Sequence, residues 1–337
     1  MKRILFISAT RIGDAVLSTG PLAALSHRHP DARFTIACGA AAVSLFQGHP
    51  QLERLIVIRK RPYAGHWRRL WRCTSTTRWH TVVDLRRSAL AWLLWARHRR
   101  VPPKAALGEH RLVTLARTLD CAEPPQPTVW LTQADHARAA GLVAPGRPIL
   151  ALAPTANWPA KVWPPEKFAD LADRLTGHDG PLAGAQVFVT GGPGEEVQAR
   201  PVLNAVPANR RIDAVGLDLP TTAAVFARCR LFVGNDSGLA HLAGAAGAPT
   251  LGLFGPSDER LYAPQGANCR VVRTPESFHD LVYAPGFNHR TASSQMTNLA
   301  VGTVERAAVD LIASTNSPTA EPQSASTSEL AIHRPTD

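Results

Sequence analysis

The 337-residue chain lacks several common signatures, and each absence removes a class of function. Its five cysteines, Cys38, Cys73, Cys121, Cys229 and Cys269, lie far apart and form no CxxC pair. That suggests neither a zinc site nor a disulfide framework, and scattered thiols fit a reducing cytoplasm. The longest apolar run, Ala89–Ala96, falls far below the roughly 20 residues of a membrane-spanning helix. Lys2-Arg3 leads straight into a short apolar strand, so no secretory signal is expected. There is no P-loop, no GxSxG, no HExxH, and no GxGxxG after the first strand. No two aspartates are separated by a single residue, so a DxD pair that would hold a divalent metal under a diphosphate is missing. Any phosphates then fall to backbone amides and side-chain cations, and neither a metal nor another cofactor is expected.

Acidic residues are scarce in one half only. Residues 1–150 hold 23 Lys+Arg against 8 Asp+Glu, a net of +15, whereas residues 151–337 carry a net of −4. Within 54–100 there are 13 Lys+Arg and a single acid, Asp84. Such a field draws anionic partners to the first half: nucleic acid, an anionic membrane or a phosphorylated substrate. No nucleic-acid-binding signature accompanies it, and no nucleic acid is expected as partner.

Short apolar runs alternate with helical patterns along the chain. Arg3–Ser8, Phe34–Cys38, Leu55–Ile58 and Thr81–Leu85 read as buried strands, and the pattern turns helical from Asp14. Residues 122–148 are Pro-rich, as expected near a domain boundary. The alternation then restarts with strands at Ile149–Ala153, Gln186–Thr190, Leu231–Val233 and Thr250–Phe254, and helices near 165–176, 194–206, 221–228 and 238–246. The pattern predicts an α/β protein of two Rossmann-like domains facing across a cleft, 1–145 and 146–313. A helix at Val304–Ala313 ends the fold, and the Ser/Thr/Pro/Ala/Glu-rich 314–337 reads as a disordered tail.

Four segments carry candidate chemistry. In Leu231–Gly255 a buried strand ends at Gly234, and Asp236 and Ser237 sit where a helix N-cap belongs. Gly238 there lets a ligand approach free N–H groups suited to a diphosphate, and His241 lies about one turn further on. An ordinary capped strand-to-helix turn explains the same residues. Asp14, behind Gly13 past the first strand, is placed either to accept a proton from a hydroxyl or to cap the first helix. Lys161, in Ala153–Pro164, is either a cation for a leaving diphosphate or a solvated surface lysine. Gly191–Glu196 places Glu195 either near a ribose or as an acid favouring a helix dipole.

Taken together these segments resemble glycosyltransferase family 9, the ADP-heptose:lipopolysaccharide heptosyltransferases. Arg11–Thr19 resembles the family's N-terminal loop and helix, Lys161-Val162-Trp163-Pro164 its K-x-W-P, and Gly191-Gly192-Pro193 its second glycine turn. Gly234–His241 (GNDSGLAH) is the most specific block, followed by Ala248-Pro249-Thr250 and Phe254–Asp258. His49-Pro50 with Leu55–Val57, and His80–Leu85, are similar to intermediate segments.

The resemblance implies a GT-B fold and an inverting, metal-independent transfer, with the donor held by the C-terminal domain and the acceptor by the N-terminal one. It implies that Asp14 is the general base and that Arg11 and Gly13 shape the acceptor or phosphate loop. Lys161 then neutralises the diphosphate, and Asp236, Ser237 and Gly238 form the donor loop with His241 beside it. Thr155 and Glu195 are further donor contacts. The implied partners are a nucleotide sugar (ADP-heptose), an anionic glycolipid acceptor and the inner-membrane surface. The implied location is cytoplasmic and peripheral on the inner face of the membrane. Residues 86–100 read as an apolar helix with Trp92 and Trp95 between basic ends, suited either to a membrane interface or to the core. Rival readings are a relative with another donor or a protein acceptor, a non-catalytic nucleotide-sugar binder, and a nucleic-acid-binding protein. Asp14 and Lys161 lie in different halves, so the resemblance also predicts that the cleft closes to bring them together.

Overall fold

The computed structural model describes residues 1–288 and 291–316. The apolar runs build two parallel sheets. The first joins β1 (Arg3–Ile7), β2 (Arg33–Gly39), β3 (Leu52–Ile58), β4 (Trp79–Asp84) and β5 (Ala96–Arg100) in the order β3-β2-β1-β4-β5. The second joins β6 (Ile149–Ala153), β7 (Gln186–Gly191), β8 (Arg211–Val215), β9 (Leu231–Asn235), β10 (Thr250–Phe254) and β11 (Cys269–Arg273) in the order β11-β10-β9-β6-β7-β8. Every recorded strand pairing is parallel, and the central strands β6, β7, β9 and β10 are buried along their whole length. Helices cover the faces, as parallel strands require.

Three strands escaped the reading of apolar runs: β5 (ARHRR), β8 (RIDAV) and β11 (CRVVR). All three are sheet edges with one open side, where burial does not demand a continuous apolar run.

β5 also corrects the expected helix over 86–100. Only Leu90–Leu93 is helical there, and Ala96–Arg100 pairs with β4. Arg99 is turned inward, donating to the carbonyls of Ala91 and Leu94 at 2.7 and 3.0 Å, and Arg100 is paired with Asp120 at 2.6 Å. Trp92, Leu93 and Trp95 remain exposed, with the Arg78 guanidinium 4.8 Å from the Trp95 ring. Among the described residues no helix is long and apolar enough to cross a membrane.

The Pro-rich 122–148 segment is ordered. Thr132 and Asp135 form a capping box that starts the helix Gln133–Leu142, and Arg138 reaches Thr221 at 3.0 Å on the Leu219–Phe226 helix of the second half. The final helix runs Val301–Asn316, longer at both ends than expected, so Ser314–Asn316 are helical. The rest of the expected tail, 317–337, lies outside the described residues.

One hydrophobic cluster runs through both halves, from Phe6, Leu17 and Phe34 to Phe188, Phe226 and Ala240. The helix Ile12–Arg28 after β1 meets the helix Gly238–Ala245 after β9, N-terminus against N-terminus. Gly13 and Gly238 make this approach possible. A Cβ on Gly238 would lie 2.8 Å from Ile12 Cγ2 and 3.0 Å from the Gly13 nitrogen. The start of the N-terminal helix fills the room that a side chain on Gly238 would take.

Gly238→Ala is therefore expected to lower stability by about 1–3 kcal/mol, the usual scale of overpacking. Gly302→Ala, where a Cβ meets nothing within 4 Å, should instead raise it by about 0.4–1 kcal/mol. Denaturant midpoints of both variants check this, and an unaffected Gly238→Ala midpoint would contradict the close contact.

Candidate active site

In both sheets the loops that matter leave the C-terminal ends of strands, where open α/β sheets place their ligand crevice. β6 and β9 are adjacent, with β7 beyond β6, so the loops after these three strands converge. The loop after β1 reaches them through the helix contact just described.

Lys161 is held by a scaffold, not left in solvent. Trp163 beside it is fully buried against Phe168. Its indole N–H donates to the Leu299 carbonyl at 2.9 Å, and its backbone N–H donates to Asn235 Oδ1 at 3.0 Å. Asn235 also donates to the Thr155 carbonyl at 3.5 Å. From the other side Ser294 and Gln295 bond the carbonyls of Val162 and Ala160 at 2.6 and 2.9 Å. Thus fixed, Lys161 Nζ donates to Asp236 Oδ2 at 2.5 Å and lies 5.3 Å from the Trp158 ring centroid. The lysine side chain is 19% exposed and the aspartate 7%. Paired charges this close compensate each other's loss of water, and removing either strands the other.

Asp236 therefore leaves the capping role to Ser237, whose hydroxyl accepts from the Leu239 N–H at 3.3 Å. Thr155 and Glu195 also meet. Glu195 Oε2 accepts from the Thr155 hydroxyl at 2.5 Å and from the Gly192 N–H at 2.7 Å. The carboxylate folds the glycine turn onto the loop after β6, so it is no simple dipole partner.

Asp14 does not cap the first helix. Arg11 occupies the N-cap, stands exposed, and its side chain makes no ion pair among the described residues. Asp14 sits in the first turn, 3.9 Å from the Arg111 guanidinium. Neither Arg111 nor its neighbour His110 was a candidate from sequence. His110 caps the helix Arg111–Thr118 and reaches the Ala263 carbonyl in the second half at 3.1 Å. No motif surrounds them, and only their position in space brings them to the site.

His241 lies at the centre. It is 6% exposed, and a Cβ on Gly13 would sit 3.1 Å from its Cδ2. Its Nδ1 is buried with no hydrogen-bond partner among the described residues. Burial, more than any charge, lowers its pKa below the usual histidine value; Asp236 and Asp14, one from each half, oppose that effect. The ring is thus neutral at pH 7. Of the strand-end segment Gly255–Asp258, Asp258 is engaged with Arg260 at 2.7 Å, which holds its carboxyl below the usual range.

Comparison with known proteins follows the same geography. Residues 70–284 match the sequence model of Glycosyltransferase family 9 (heptosyltransferase), a span that includes Thr155, Lys161, Glu195, Asp236 and His241 but not Asp14. Lipopolysaccharide heptosyltransferase 2 of Salmonella typhimurium is 30% identical over 138 residues, 40% of this chain and 38% of that protein. The match thus spans about two-fifths of that relative's length. Lipopolysaccharide heptosyltransferase 1 of Pseudomonas aeruginosa is 25% identical over 299 residues, 78% of this chain and 81% of its own. Among solved structures, the E. coli ADP-heptose lps heptosyltransferase II superposes with a TM-score of 0.74 at 20% identity, covering 94% of this chain and 99% of that one. The fold is GT-B, two Rossmann-like domains, as the resemblance implied.

Lys161→Met and Asp236→Asn should each destabilise the protein, and the double variant should cost less than their sum. A coupling of about 0.5–3 kcal/mol from a double-mutant cycle of unfolding is expected. Additive effects would mean that the pair does not interact in solution.

Proposed function

The chain belongs to glycosyltransferase family 9, and from that premise we propose that it moves a heptose from ADP-heptose to a hydroxyl of a lipopolysaccharide core acceptor, inverting the anomeric carbon without a metal. The observation that carries this reading is the convergence at His241. Asp14 approaches it from one half, and Asp236, paired with Lys161, from the other. The relatives named above, lipopolysaccharide heptosyltransferases, support the choice of sugar and acceptor.

In this mechanism the Asp14 carboxylate takes the proton of the acceptor hydroxyl as its oxygen attacks the anomeric carbon. The bond from that carbon to the diphosphate oxygen breaks, and the electron pair leaves with the diphosphate. The negative charge that develops there meets the Lys161 ammonium and the first-turn N–H groups of the Gly238–Ala245 helix. These cationic and dipolar groups, together with the missing DxD pair, support a route that needs no metal. Neutral His241 donates or accepts one hydrogen bond beside the diphosphate. Arg111, 3.9 Å away, orients Asp14. Arg11 and Gly13 belong to the loop that meets acceptor or phosphate. Glu195 uses Oε2 for Thr155 and Gly192, which leaves Oε1 for a ribose hydroxyl.

The acceptor in this reading is an anionic glycolipid, met by the basic first half on the inner face of the membrane. Exposed Trp92, Leu93 and Trp95 beside Arg78 suit such an interface. Arg97, exposed on the edge strand, belongs with them; Arg99 and Arg100, already engaged within the protein, do not.

Asp14→Asn should keep donor affinity while turnover falls about 10²–10⁴-fold, the scale of a lost general base. Full turnover in that variant would remove Asp14 from the mechanism. A thermal-shift series should show ADP stabilising the protein more than UDP or GDP, and chelation by EDTA should leave turnover unchanged. Preference for UDP or GDP would redirect the donor assignment.

A further inference from the structure

A cavity of about 450 Å³ opens at the opposite, N-terminal ends of β1 and β4, and shares no residue with the cleft. This volume falls within the roughly 300–1,000 Å³ typical of small-molecule sites. Lys2, Arg3, His29, Arg78, His80 and Arg97 line it. The His29 and His80 rings meet edge to face at 5.2 Å between centroids, and the His98 ring lies tilted against His80, also at 5.2 Å. Arg3 is partnered by Glu53 at 3.7 Å. Among the described residues Lys2 and Arg97 make no ion pair, and Arg78 has only its stack on Trp95. Among the described residues the buried His29 Nδ1 has no hydrogen-bond partner, while His80 Nδ1 is engaged with Thr81 at 2.9 Å.

Like charges gathered from four segments repel one another, and the one acid in the lining, Asp31, is exposed. The carboxyl end of the first helix accounts for a cation or two nearby. It does not account for a hollow into which β4 and β5 also bring Arg78 and Arg97. We propose that this cavity is a phosphate-binding site separate from the cleft, in which Lys2, Arg78 and Arg97 neutralise a phosphate group and the histidines hydrogen-bond it. The phosphate belongs either to a soluble phosphorylated compound or to a lipid headgroup, and the nearby exposed Trp95 gives the second source a physical basis.

The histidines make the site sensitive to pH. Burial first, then Lys2, Arg28 and His98, lower the His29 pKa; burial first, then His29, Lys2, His98 and Arg97, lower that of His80. Without a ligand, each resists protonation in the folded state more than in the unfolded chain, so acidification below the ordinary histidine value of about 6.5 costs stability. A bound phosphate reverses the field they feel. Binding of an anion whose own charge is fixed over this range, such as sulfate or a phosphodiester headgroup, therefore takes up protons and tightens as pH falls.

Inorganic phosphate and sulfate, the second of fixed charge, titrated by calorimetry and thermal shift at pH 6 and pH 8, test the proposal. Sedimentation with phosphatidylglycerol or phosphatidylcholine vesicles separates the two sources. Expected is sulfate binding that is stronger at pH 6 than at pH 8, and phosphate binding that is kept in the cleft variant Lys161→Ala. Arg97→Glu and His80→Gln should each weaken it about tenfold, the scale of one lost charge-assisted contact. Arg97 is exposed, so its replacement leaves the fold intact, and circular dichroism confirms that for both variants. Binding to phosphatidylglycerol vesicles that His80→Gln weakens, without binding of free phosphate, would support the site and assign it to a headgroup. Phosphate binding lost in Lys161→Ala and kept in Arg97→Glu would place the anion in the cleft and overturn the proposal. Absence of both phosphate and vesicle binding would overturn it too.

Discussion

Two helix N-termini meet across the interface between the sheets, with Gly13 and Gly238 at the point of contact, and the geometry of the site follows from that approach. Each helix starts at the C-terminal end of a central strand, β1 in one sheet and β9 in the other. Side chains of the two first turns therefore look into the same space. A side chain on either glycine would widen the gap and move Asp14 away from His241. The continuous hydrophobic cluster through both halves, and the Gln133–Leu142 helix packed on Leu219–Phe226, hold the approach from behind.

Within the second half a different constraint operates. The loop after β6 carries Lys161, and a lysine on an unsupported loop would spend its charge on water. Trp163 prevents this by burying its ring while its backbone N–H bonds Asn235, the residue just before Asp236. One buried amide thereby sets the position of the cation relative to its carboxylate. The tryptophan is a structural anchor and the lysine a chemical group, although the sequence shows them as one short motif. The pairing also keeps Lys161 aimed until an anion competes for it. His241 completes the arrangement as a neutral group between two carboxylates, because burial outweighs their attraction for a proton.

Much of this was legible from residue order. Continuous apolar runs such as RILFI, ILALA and LFVGN can be satisfied only by strands buried on both faces, so the two parallel sheets followed. The edges did not. β5, β8 and β11 carry charges that an open edge tolerates, and the 86–100 segment read as a helix because its apolar stretch lacked a clear period. For the candidate site, strand-then-small-residue turns pointed to Asp14, Lys161, Glu195 and Asp236, each with an ordinary structural explanation beside the chemical one. Sequence could not choose between the two, since the choice depends on which partner each side chain finds. Arg111 and His110 were invisible for the same reason.

The sequence by itself determined which strands lie in the core, where the turns at their C-terminal ends fall, and how unevenly charge divides between the halves. Those properties depend on local composition and period, which a linear chain states directly. The tertiary structure alone decided that Asp236 pairs with Lys161 and leaves the capping to Ser237, and that Asp14 faces Arg111. It also decided that the basic surplus of the first half includes a hollow of histidines and arginines. Each of these depends on distances between residues far apart in the chain, and only packing sets those distances.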